Sequence, residues 1–102
     1  MSITTTDELI KEFRQLMTST SDDRNDMQKI IKFLSVVQTY RLSVPPTSEF
    51  ITIIKYKKPI LFQYLKKSIS TTSPIYFILQ WDMDYQTALE RLGFADDPFF
   101  QL

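Results

Sequence analysis

Among the 102 residues there is one glycine, Gly93, and that scarcity restricts how the chain can turn. Tight two-residue hairpins need positive backbone φ, and no Asn-Gly, Asp-Gly or Gly-Gly pair is present to close one. Antiparallel sheets are therefore disfavoured. The same scarcity excludes glycine-rich phosphate loops of the GxGxxG and GxxxxGK[ST] forms. Cysteine is absent as well, so neither a disulfide framework nor a thiolate metal site holds the chain together. Apolar burial has to do so. With 43% hydrophobic and 14% aromatic residues, the material suffices for a single globular domain over 1–102.

The helix punctuation is specific. Thr5 with Glu8 has the form of a capping box, and Leu9, Ile10, Phe13, Leu16 and Met17 follow at one-face helical spacing. A polar loop, Thr18 to Asn25, separates this helix from a second, with Ser21 or Asp22 as its cap. Met27, Ile30, Ile31, Leu34, Val37 and Arg41 make one stripe of that helix, widened by Phe33, Val36 and Tyr40. A stripe this broad predicts the longest helix, central and in contact with more than one neighbour. Pro45 and Pro46 end it.

Two later segments, 50–56 (FITIIKY) and 75–81 (IYFILQW), are β-branched and aromatic and have the composition of strands. Their flanks favour helices. Thr47 or Ser48 before Glu49, Pro59 at a first helical position, and Ser73 before Pro74 are all helix-start signals. On a helix from 59 to 69, Ile60, Leu61, Tyr64 and Leu65 form the expected buried face. A last helix starts near Asp82 or Asp84, buries Tyr85, Ala88, Leu89 and Leu92, and stops at Gly93 in a Schellman ending with Phe94. The expected fold is an all-α, compact bundle of five to six helices with a long central second helix. The alternative is an α+β arrangement with short strands near 50–56 and 75–81.

Function is read mostly by elimination. Without His or Cys, the commonest general base, thiol nucleophile and zinc ligands are missing. The aspartate groups that remain, Asp22, Asp23 and Asp26, Asp82 and Asp84, and Asp96 and Asp97, suit helix capping better than acid–base work. A calcium loop starting at Asp82 fails, because its sixth position is Thr87 and its twelfth Gly93. No catalytic residue, metal site or cofactor is expected, and the chain reads as a non-enzyme.

Two clusters are candidates for binding. The net charge of zero conceals an asymmetry: residues 1–23 carry two basic and five acidic side chains, 24–67 nine and two, and 68–102 one and five. Within the basic middle, Lys55, Tyr56, Lys57, Lys58, Lys66 and Lys67 interleave cations with aromatics, a pattern compatible with nucleic acid or another anionic surface. The acidic tail sets Phe94, Phe99, Phe100 and Leu102 around Asp96, Asp97 and Pro98. Those four apolar residues either close the core or serve as anchors for another protein. The preferred reading is a non-catalytic protein-interaction module, such as an adaptor, a subunit or a small regulatory or viral factor, binding by apolar contacts with a charged rim. A homodimer is possible, and nucleic-acid binding through the lysine cluster is the alternative. The N-terminus has no basic start followed by an apolar stretch, and the longest apolar runs, 59–62 and 74–79, fall far short of the roughly 20 residues of a bilayer span. The expected location is intracellular, cytoplasmic or nuclear.

Overall fold

A computed structural model of the chain describes residues 6–39 and 47–102. These form six α-helices in chain order: α1 (Thr6–Ser19), α2 (Met27–Thr39), α3 (Thr47–Lys57), α4 (Pro59–Ser68), α5 (Pro74–Ile78) and α6 (Tyr85–Leu92). Short 3-10 turns at Arg24–Asp26 and Pro98–Phe100 complete the fold. Among the described residues there is no strand, so the all-α reading holds and the α+β alternative is overturned. Segment 50–56 lies within α3, and 75–81 forms α5 and the turn after it.

The reason lies at the helix starts. The Ser73 hydroxyl accepts a hydrogen bond from the Ile75 N–H, and Pro74 takes the first position of α5, where its missing N–H costs nothing. Pro59 does the same for α4. Local punctuation outweighs β-propensity here, because a strand at 75–81 would have no hairpin partner.

Every helix contributes to one continuous apolar core. Its aromatic centre is Phe13 of α1, Phe33 of α2 and Phe50 of α3, with ring centroids 4.6 to 5.6 Å apart. As the broad stripe of α2 requires, this helix meets α1, α4 and α5. The helix enclosed most completely is α3, however, in which Phe50, Ile51, Thr52, Ile53 and Ile54 are all buried. The Thr52 hydroxyl has no hydrogen-bond partner, which marks how tightly apolar neighbours surround that helix. Over the described residues α2 runs for 13 residues and α1 for 14. The expected extension of α2 through Tyr40 and Arg41, the stop at Pro45 and Pro46, and the Thr5 cap all lie outside the described residues.

Two local expectations are corrected. Asp22 does not cap α2; its carboxylate accepts from the Leu61 N–H at 2.7 Å and so caps α4, 39 positions away in sequence. Lys58, at the N-cap position of α4, supplies no side-chain cap of its own, leaving an amide that Asp22 satisfies. The buried face of α4 is also rotated from the expected one. It consists of Leu61, Phe62 and Leu65, while Ile60 is more than half exposed and Tyr64 is half-buried under Arg24. No helix among the described residues is long and apolar enough to cross a membrane.

Candidate functional site

The lysine cluster is divided by the fold. Lys58 is buried and its ammonium donates to the Thr20 carbonyl, with burial pushing its pKa down from the ordinary lysine value against the pull of Asp22 and Asp26. It therefore ties the α3–α4 junction to the α1–α2 link and does not face a ligand. Lys55 pairs with Asp82 at 3.4 Å and Lys57 lies 4.8 Å from the centre of the Phe99 ring. Lys66 and Lys67 are exposed in the last turn of α4, where the helix dipole accounts for them. The five ammonium groups consequently do not form one free anionic-partner patch.

The tail is also divided. Gly93 adopts φ +82, and the Phe94 N–H returns to the Leu89 carbonyl at 2.8 Å, closing α6 as its sequence predicts. That turn aims Phe94 inward, where its ring stacks on Phe100 at 4.4 Å. Both residues are buried, which corrects their assignment as partner anchors: they belong to the core. Phe99 is half-buried, edge-on to Phe100 at 5.0 Å, and only Leu102, 80% exposed, stands free.

Polar contacts lock this arrangement. The Tyr85 hydroxyl donates to the Phe100 carbonyl at 2.6 Å, and burial raises its pKa to about 12. Arg14 of α1 reaches Asp97 with its Nε at 2.6 Å, and this hydrogen bond holds the Asp97 carboxyl below the ordinary carboxylate range. Asp97 also accepts from the Phe99 N–H, and Asp84 accepts from the Thr87 N–H to cap α6. Asp23 caps the 3-10 turn and Asp26 accepts from Ser21, which lowers the Asp26 pKa. Each of these carboxylates has a structural task, and no group of three or more acidic residues among the described ones is placed to hold a metal ion.

What the fold leaves exposed is a different set of aromatics. On α5 the buried stripe is Ile78 and Leu79, with Ile75 packed against it. Phe77 on α5 and Trp81 in the turn after it are 66% and 46% exposed. Trp81 precedes Asp82, whose partner Lys55 lies 5.8 Å from the centre of the Tyr56 ring. Tyr56 is 44% exposed and stands edge-on to Tyr85 at 5.5 Å. Trp81 and Tyr56 thus border one ion pair, and Phe77 lies four residues before Trp81 in the chain. Of this edge, sequence reasoning singled out Lys55 and Tyr56 as binding residues and Asp82 as a carboxylate and helix-start candidate. Phe77 was detectable once Ser73 and Pro74 set the helical phase, since the period that turns Ile75 and Ile78 inward turns 77 outward; Trp81 lies in the turn beyond the helix, where that period no longer applies.

No protein-family model, curated protein or solved structure matches the chain.

Proposed function

We propose that the chain is a non-catalytic protein-interaction module whose contact surface is the edge formed by Tyr56, Phe77 and Trp81, rimmed by Lys55 and Asp82. The observation that carries this reading is the exposure of Phe77 on α5 and of Trp81 in the turn that follows it. Scattered exposed aliphatic groups are ordinary on protein surfaces, whereas neighbouring exposed aromatics mark contact sites. Tryptophan and tyrosine are also the residue types that dominate binding energy at interface centres. Apolar contacts with a charged rim follow from the Lys55–Asp82 pair, which borders Tyr56 and Trp81 and stays partly exposed.

The test is affinity capture with the tagged chain and with a Phe77→Ser/Trp81→Ser variant, at low and high salt. Specific partner capture should persist at high salt and fall at least about tenfold in the variant, since removing two interface aromatics costs on the order of 2 kcal/mol or more. Equal capture by both proteins overturns the assignment of the edge. Nucleic acid that co-purifies, is stripped by salt and is lost on Lys66→Gln/Lys67→Gln replaces it with the anionic-surface reading.

A further inference from the structure

The hairpin of α1 and α2 carries a second open surface, on residues separate from the aromatic edge. The two helices are joined by the short link 20–26 and packed through Phe13 against Phe33. Between them runs a groove of about 500 Å³. Leu16, Phe33 and Val36 form its apolar floor. Glu12 stands on the α1 wall, and Lys29 and Lys32 on the α2 wall. Lys29 is already paired with Asp26 at 3.5 Å. Neither Glu12 nor Lys32 has an ion-pair partner among the described residues, and both side chains are exposed.

We infer that this groove is the interface of a homodimer in which Glu12 of each copy meets Lys32 of the other. The argument is symmetry combined with charge. One wall offers an unpaired acid and the other an unpaired base, so a second copy is a complementary occupant without further assumption. A two-fold axis along the groove lays α1 of each copy over α2 of the other and brings opposite charges together twice, as an isologous contact requires. An axis across the groove sets α1 on α1 and opposes like charges. The first arrangement is therefore selected, and it closes Leu16 and Val36 away from water in a four-helix layer. Helices of 14 and 13 residues, at about 1.5 Å per residue and about 10 Å apart, offer a face of roughly 20 by 20 Å per copy. That is about 400 Å² per copy, below the size of stable specific interfaces, so the dimer is a weak one that forms only at high protein concentration.

Sedimentation velocity from low micromolar to near-millimolar protein tests the inference. The wild-type chain should shift from monomer to dimer, less readily at high salt. Glu12→Lys and Lys32→Glu should each weaken the dimer at least about tenfold, because each sets like charges against each other at two places. The Glu12→Lys/Lys32→Glu double variant should recover self-association, and an equimolar mixture of the two single variants should form a heterodimer. Circular dichroism checks that these exposed substitutions leave the helices intact. A chain that stays monomeric at every concentration overturns the inference. So does a dimer indifferent to either single substitution, or one that the double variant fails to restore.

Discussion

The tail pair Phe94 and Phe100 and the pair formed by Phe77 on α5 and Trp81 just after it are alike in chemistry and opposite in placement. The tail residues stand in an acidic, polar segment, whose apolar side chains could either close the core or be offered to a partner. They are buried and stacked at 4.4 Å. Phe77 and Trp81 stand in the apolar run IYFILQW, where burial would be the simple expectation, and they are exposed. Hydrophobic neighbours in sequence do not decide burial; the direction in which the backbone turns a side chain does. At the tail that direction is set by the positive φ of Gly93, the Tyr85 hydroxyl on the Phe100 carbonyl and the Arg14–Asp97 pair. For Phe77 it is set by helical phase from Ser73, and for Trp81 by the turn that follows α5.

The largest effect expected from this contrast is on stability. Phe100→Ala removes a fully buried ring between Phe94 and Phe99 and should cost about 3 to 5 kcal/mol in urea unfolding. A cost comparable to that of a surface substitution would show the tail to be detachable and return it to the list of contact surfaces.

A smaller effect is expected from the lock on the tail. Tyr85→Phe removes one partly buried hydrogen bond and should cost about 1 kcal/mol. It also carries a pH signature. The Tyr85 pKa is raised to about 12 in the folded chain, so the native state keeps a proton that the unfolded chain releases near the ordinary tyrosine value of about 10. Stability from this group is present below about pH 10 and is lost as pH rises through about 12. Urea midpoints measured across that window should fall more steeply for the wild-type chain than for Tyr85→Phe. Equal slopes would mean that Tyr85 is open to solvent.

The smallest effect sharpens the comparison from the other side. Phe77→Ser/Trp81→Ser should leave the unfolding free energy within about 0.5 kcal/mol for each substitution, as expected for exposed positions. A loss of several kcal/mol would show that these rings pack on the fold, and the proposed contact edge would fail with them.

Much of the local structure was legible in the residues themselves. The Ser73–Pro74 start, the Pro59 start and the Gly93 stop appear where the sequence sets them, because each depends on the covalent geometry of one residue or on a hydrogen bond between near neighbours. The inward stripes of α1, α2 and α6 follow from helical periodicity for the same reason. The candidate sites were less legible. Lys55, Lys57 and Lys58 are adjacent in the chain, yet one pairs with Asp82, one covers Phe99 and one reaches Thr20. Successive residues on a helix end point in different directions, and their partners come from elements 20 or more residues away, so sequence adjacency could not reveal a shared surface.

By itself, then, the sequence determined that this chain is helical, where most of its helices start and stop, and which stripe of most of them faces inward. The physical cause is local: proline and glycine geometry, capping side chains and the 3.6-residue period act within a turn or two. Tertiary structure alone decided that the middle of α3, Phe50 to Ile54, is enclosed on all sides, that Asp22 caps a helix 39 residues away, that Lys58 is buried and that Phe100 closes the core while Phe77 and Trp81 remain outside. Those outcomes depend on which helix faces meet, and that is fixed by packing among residues far apart in the chain.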